Sequence, residues 1–513
     1  MTPAISIEQL PFFSNLIKDY LRGDEKLARL FSFSPSLDGL RAAAASKEKN
    51  YTRRDVLKRI LEKNYPDTST CSPLERENIA SLSIDGLAVT TAHQPNLFSG
   101  PLYTIIKACS TIALAHELSR SLSQKITPIF IIGSEDHDKE ELLHAHLFGK
   151  RYEWQTAQKG AIGRMIVDDS FIVLRDLWTA QFGNFPHAEA LKEIVESSYR
   201  EGLTLSEGFG AMVRKLFGKH GLIVLDLQMS EVKEAMIPVF EREISEQIST
   251  KLIQPHLDFL QSEYKIQASP REINLFEFRD GERVRVEKND EDILTRLQAH
   301  PELFSPNVIL RPLMQQTVIP SIANIGGGAE VAYWLQLKPI FDAFGIDFPV
   351  ILLRDIISPL DNKSWEKWNM MGLGISDFFQ PIDELKRNYV LKDSSLDGTF
   401  QDIVGRMQEP FLNLEAMVSD VDKSLVHSVA AEKTKMEKSM DVLFQKIIKA
   451  EKKKNEDELL AMERIKNKVF ENNILIERKE NVSSYIIKYG LSWIDELLAI
   501  CRPLEAQLQL KLD

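Results

Sequence analysis

Apolar residues fall into short unbroken runs over the first two thirds of this chain and into a helical stripe over the last third. The earliest clear run, LAVTT from Leu87, gives way to the turn-rich stretch AHQPNLFSGP. LYTIIKACSTIALAHEL comes next, with the length and composition of a helix. A second unit follows at once: ITPIFIIGS, apolar, β-branched and ending in small residues, then EDHDKEELLHAHLF, rich in helix formers. Two consecutive strand-loop-helix units predict an α/β chain with a parallel sheet and helices on its faces. GLIVLD (221–226) and DFPVILLRD (347–355) are further fully apolar strand candidates.

Between about 150 and 310 the pattern loosens. Here NLFEFRDGERVRVE predicts a hairpin turning at Asp280-Gly281, and the region reads as insertions on the core. Past Asp361 the strand-like runs stop. Val426, Val429, Met436, Met440, Leu443, Ile447 and Ala450 fit a heptad seam with Lys433 as its one polar break. Leu459, Met462, Ile465 and Val469 continue a helical face beyond EKKKNEDE. A long helical hairpin or coiled-coil arm is expected, its seam either intramolecular or a contact between two copies.

A length of 513 residues exceeds what one core organises. A formal net charge of -12 gives no global positive field for nucleic acid or anionic lipid. The N-terminus MTPAISIEQLPFFSNLIKDY lacks a basic segment followed by an apolar one, and no run reaches the roughly 20 apolar residues of a membrane span. A cytoplasmic location, with neither nucleic acid nor membrane as partner, is the expectation. Cys71, Cys109 and Cys501 are far apart and in no metal-ligand spacing, so neither a disulfide framework nor a thiolate metal site is indicated.

Ligands of parallel sheets sit beyond the carboxyl ends of the strands, and three segments there carry candidate chemistry. The first loop holds His93, Gln94, Asn96 and Gly100, followed by Tyr103 and Lys107. Its helix N-terminus, with charge from His93 and Lys107, suits an anion, although an ordinary capped turn has the same composition. The second packs Glu135, Asp136, His137 and Asp138 after IIGS. Such like charges call for a positive partner, either a divalent metal or a substrate ammonium, unless they merely cap a helix. His137, Glu141 and His144 share helical spacing, but no His-Glu-x-x-His pair exists and no metal site is assigned. The third runs from Arg311 and Gln315 to Gly326-Gly327-Gly328, Glu330 and Tyr333. Three successive glycines opening a helix fit a backbone approached by phosphate or carboxylate, with a hinge as the rival reading and packing a poor explanation.

AHQPNLFSGPLYTIIK, PIFIIGSEDHDKEELLH and RPLMQQTVIPSIANIGGGAEVAYWLQLKPIFDAFGIDFPVILLR together resemble the bacillithiol-biosynthesis cysteine-adding enzymes. GRMIVDD, LFGKHGLIVLD and IERKENVSSYIIKYG extend the resemblance over nearly the whole chain, in order. Two departures stand out: Ala92-His93-Gln94 replaces the family's Gly-Gln-Gln, and Leu475-Ile476-Glu477-Arg478 its Pro-Gln-Glu-Arg. The resemblance implies a Rossmann-like core over 1–374 with insertions at about 150–310. It also implies a coiled-coil arm over 375–475 that forms a homodimer, and a segment 476–513 returning to the core. The implied activity joins cysteine to glucosaminyl-malate. Amide formation needs an activated carboxyl, for which ATP or another adenine nucleotide is the expected cofactor. In this reading Glu135, Asp136 and Asp138 hold an ammonium or a metal. His93, Lys107, Arg311 and the glycine backbone hold anions, and His93 or His137 takes the proton of the attacking amine. A nucleotidyl-transfer enzyme related to aminoacyl-tRNA synthetases and a nucleotide-binding coiled-coil scaffold are the alternatives.

Overall fold

The computed structural model describes residues 2–288, 290–392 and 396–513. The chain divides into two compact units, 1–358 with 477–511, and 359–476 with the last two residues. The first unit's leading segment therefore ends earlier than the expected boundary at 374. Helix Asn362–Met370 belongs with the arm rather than with a core reaching 374.

At the centre of the first unit is a parallel five-stranded sheet: β1 (Leu87–His93), β2 (Ile126–Ile132), β3 (Ile223–Asp226), β4 (Ser321–Gly326) and β5 (Val350–Leu353), in the order β5-β4-β1-β2-β3. β2, β4 and β5 are buried along their whole length, and β1 at every residue but Ala92, as apolar runs require when helices cover both faces. Helix α1 (Leu102–Leu122) connects β1 to β2, and α2 (Leu205–Phe217) precedes β3. A Thr204/Glu207 capping box starts α2.

EDHDKEELLHAHLF departs from its helical reading. Only Lys139–Leu142 is helical, and His144–Leu147 then pairs antiparallel with Lys150–Glu153. The alternation of His144-Ala145-His146-Leu147, with Ala145 and Leu147 inward, outweighs the helix formers before it. The hairpin at Asp280-Gly281 forms as expected: Leu275–Arg279 pairs with Glu282–Arg285, and both turn residues have the positive φ of a two-residue hairpin. Strands also continue past Asp361, as the pair Phe470–Glu471/Ile474–Leu475 and as Gln507–Leu512, which meets Ala4–Ser6 antiparallel.

In the second unit α3 (Leu396–Val421) packs along α4 (Leu425–Lys454), with Phe400 stacked on Phe444 at 4.2 Å. Residues 393–395 of the arm lie outside the described residues. Val426, Val429, Lys433, Met436, Met440 and Ile447 are half-buried, whereas Leu443 is 48% exposed and Ala450 exposed. Phe444 and Ile448 are the buried anchors of α4. The intramolecular face is thus rotated slightly from the expected seam.

Candidate active site at the carboxyl edge of the sheet

From β1 the chain builds outward through β2 and β3, then returns to the other side of β1 with β4 and β5. Loops leaving β1 and β4 diverge, and such a switch point opens a crevice. A cavity of about 230 Å³ occupies it, reached by His93 and Gln94 after β1, Ser134 to Asp136 after β2, Asp226 at the end of β3, and Glu330 and Tyr333 after β4. Arg311 and Gln315, from the helix Arg311–Val318, complete the wall.

The acidic loop separates into distinct roles. The positive partner of Glu135 comes from the chain itself: Lys233 Nζ donates to Glu135 Oε1 at 2.5 Å and to the Phe304 carbonyl at 2.8 Å, all in the interior. Burial would raise the Glu135 pKa, but Lys233 outweighs it and holds the carboxyl below its ordinary value. Glu135 is therefore occupied, which corrects its assignment to a substrate ammonium or metal. Asp136 accepts Gln94 Nε2 at 3.2 Å on Oδ2, and the His137 and Asp138 backbone N–H groups on Oδ1 at 2.7 and 3.3 Å. Burial again opposes ionisation, and Arg311 with these hydrogen bonds prevails, leaving the Asp136 pKa lowered. Asp138 caps the short helix through the Glu141 N–H, at 3.1 Å. His137 and Asp138 are exposed and do not line the cavity, so neither is placed for proton transfer there. His144 lies in a strand, so the helical spacing of His137, Glu141 and His144 does not converge. Among the described residues no group of three or more His, Cys, Asp or Glu side chains is placed to share a metal ion.

In the first loop His93 is buried, and burial reinforced by Lys107 drives its pKa down to about 3. Its Nδ1 lies 3.0 Å from the Gln94 carbonyl, which can only accept, so Nδ1 carries the proton and Nε2 the lone pair. The imidazole is neutral and contributes no positive charge. Lys107 is also buried, and its ammonium bonds the Ala92 carbonyl at 2.9 Å and pairs with Glu330 at 2.7 Å. Tyr103 stands beside His93, ring centroids 5.2 Å apart, beneath Arg354 and Arg478; burial raises its pKa to about 12. Asn96 and Gly100 stay outside the cavity. Gly100 has φ +70°, and a Cβ there would lie 2.8 Å from that of Asn96. Phe98 and Ser99 also adopt positive φ, a strained backbone held by Asn481, whose Nδ2 donates to the Phe98 and Gly100 carbonyls at 2.7 Å each.

Packing accounts for two of the three glycines, contrary to expectation. A Cβ on Gly326 would meet Glu330 Cβ at 2.8 Å, and one on Gly328 the Phe13 ring at 3.3 Å. The Gly327 N–H is taken by Glu330 Oε2 at 2.6 Å. Glu330 thus joins the glycine turn to Lys107, and Gly326 to Gly328 do not line the cavity. Gln315 lines it but commits its amide to Thr90 at 2.9 Å and Asn324 at 3.0 Å, across β1 and β4. The Arg311 guanidinium has no hydrogen-bond or ion-pair partner among the described residues.

Sequence reasoning passed over Asp226, Ser134 and Gln228 in the cavity and the Arg354–Glu477 pair behind it. Asp226 was findable as the polar end of GLIVLD. Glu477 takes both guanidinium nitrogens of Arg354, at 3.0 and 2.5 Å, and the Ile357 N–H at 3.1 Å, so the retained Glu-Arg of the C-terminal motif closes the first unit.

The model for the "Bacillithiol biosynthesis BshC, N-terminal Rossmann-like domain" matches residues 2–355, and that for the "Bacillithiol biosynthesis BshC, C-terminal coiled-coil domain" matches 359–511. A "Putative cysteine ligase BshC" of Flavobacterium johnsoniae is 33% identical over 98% of both chains. One of Christiangramia forsetii is 34% identical over 99% of this chain and 98% of the relative, and one of Bacillus cereus 26% identical over 94% and 95%. A crystal structure titled as a putative arginyl-tRNA synthetase of Campylobacter jejuni covers 83% of this chain and 98% of its own at 11% identity, with a TM-score of 0.25, too low to bear on either fold or function. With both domain models matched in order and relatives aligned end to end, the chain belongs to the BshC family of bacillithiol biosynthesis.

Proposed function

We propose that this chain is a cytoplasmic ligase that joins the carboxyl of L-cysteine to the amine of glucosaminyl-malate, completing bacillithiol. The observation that carries the reading is one cavity holding an unpartnered guanidinium, Arg311, together with carboxylates at two strand ends, Asp136 and Asp226. Two polar substrates, one presenting a carboxylate and the other an amine, need groups of both signs in one cavity to be held in reacting geometry. Arg311 and the Gln94 amide receive the anionic group, and Tyr333 closes the wall beside them. A free carboxylate is a poor electrophile, and ATP or another adenine nucleotide supplies the activation. In the same reading two copies join through the arm, where Leu412, Met417 and Leu443 stand 54%, 59% and 48% exposed. Incubating the purified chain with glucosaminyl-malate, L-cysteine and ATP should yield the amide by mass spectrometry, and omitting ATP should abolish it. Absence of the amide under all conditions would overturn the reading.

A further inference from the structure

The carboxylates of the cavity differ in what compensates them. Glu135 has Lys233, Glu330 has Lys107, and Asp136 has three hydrogen bonds and the field of Arg311. Asp226 has no cationic partner. Its Oδ1 accepts the Ser134 hydroxyl at 2.7 Å and the Gln228 N–H at 3.0 Å. Gln228 Nε2 donates to the Ser134 oxygen at 2.7 Å, and Arg164 to Gln228 Oε1 at 2.8 Å. The relay fixes the carboxyl plane and commits the Ser134 proton to Oδ1. Oδ2 has no hydrogen-bond partner among the described residues, and Asp226 lines the cavity. A half-buried carboxylate with one oxygen locked and the other idle is arranged to meet a positive, proton-bearing group.

The groups named earlier as proton acceptors are less well placed or less basic. His137 lies outside the cavity, and burial with the nearby Lys107 lowers the basicity of His93. Asp226 deviates in the opposite direction. Burial, together with the neighbouring Glu135, raises its pKa, against the weaker pulls of Ser134, Gln228 and Lys233.

We infer that Asp226, through Oδ2, holds the amine of the acceptor substrate and takes its proton as the carbon–nitrogen bond forms. The inference rests on the amide-forming reading above. The ammonium held by Oδ2 first gives one proton to water, which frees the lone pair; that pair makes the new bond to the activated carbonyl carbon, the bond from that carbon to the activating oxygen breaks with its electron pair, and the nitrogen's remaining surplus proton passes to Asp226.

Calorimetric titration of the full chain with glucosaminyl-malate and with its N-acetyl derivative, which lacks the basic nitrogen, tests the amine site without requiring turnover. The wild type should prefer the free amine by about tenfold or more, as a charge-assisted hydrogen bond implies. Asp226→Asn should bring the two within about threefold. Should the Asn variant not fold, Asp226→Ser, which keeps a polar group beside Gln228, carries the same comparison. A preference that survives in the variant, or a wild type without one, overturns the inference. In the ligation assay kcat of Asp226→Asn should fall about a hundredfold or more while KM changes much less, as loss of a base does; an unchanged kcat overturns the proton transfer. Amine discrimination that depends on Asp226 in a wild type making no amide would refute the ligase reading and leave the amine site standing.

Discussion

The cavity of the first unit and the surface of the arm break the usual pattern of burial in opposite senses. In the cavity charge is taken out of water: Glu135, Lys107 and Lys233 are all buried. On the arm Met417, Val442 and Leu443 stand 59%, 58% and 48% exposed. Buried charge is tolerated where a partner of opposite sign sits close, and exposed apolar surface where a contact covers it. What each region leaves uncompensated differs accordingly. The cavity leaves Asp226 Oδ2 and Arg311, which suit small polar molecules, whereas the arm leaves exposed apolar side chains on both of its long helices, which suit an apolar partner.

The contrast is broken most severely at the buried pair. Arg354→Ala strands Glu477 in the interior and should cost about 3–5 kcal/mol, read by chemical denaturation. Lys468→Ala, which removes a half-exposed partner of Asp361 within the second unit, should cost less than about 1 kcal/mol. Equal costs would show that burial does not set the difference. Next in size, Arg311→Ala should lower kcat/KM by about a hundredfold with little change in melting temperature, and Arg311→Lys should restore only part of it, because an ammonium lacks the fork that grips a carboxylate. Full activity in Arg311→Ala would remove it from the site.

A smaller effect is expected on the arm. Light scattering should find the wild type dimeric at micromolar concentration, and Met417→Glu with Leu443→Glu monomeric, the core melting as before. A monomeric wild type would mean that these side chains have no partner copy. The smallest effect concerns Asp226 and sharpens the comparison by its sign. An acid whose folded pKa is raised adds stability below its unfolded pKa and loses it as pH rises through the folded one. Asp226→Asn should therefore melt about 1–3 °C higher than wild type at pH 7, the gain vanishing below about pH 4. A loss of stability at pH 7 would mean that a cation compensates the carboxylate.

How far the sequence could be read follows from the range of each interaction. Strands made of unbroken Val, Ile and Leu and the Asp280-Gly281 turn are local, and they were legible. So was the meeting of the loops that carry His93 and Asp136, because a parallel sheet brings its strand ends together; Arg311 reaches the same cavity from the start of a helix. What filled each charge was not: Lys233 lies far along the chain from Glu135, and Lys107 farther still from Glu330. The glycine triplet misled in part for the same reason, since the ring that crowds Gly328 belongs to Phe13, whereas the side chain against Gly326 is the nearby Glu330. His144 to Leu147 was a local error, because its two-residue alternation was there to be weighed against the helix formers beside it.

Asn481 ties the strained loop after β1 to a segment made long after it. On the ribosome the sheet strands emerge first, then the whole arm, residues 359–476, and only then the side chain that clasps Phe98 and Gly100. At about 5–20 residues per second the arm alone delays that event by on the order of ten seconds. Until then the nascent sheet carries His93 on an unclasped loop, so a chain released before residue 481 holds all five strands of the sheet without the side chain that fixes the loop after the first of them.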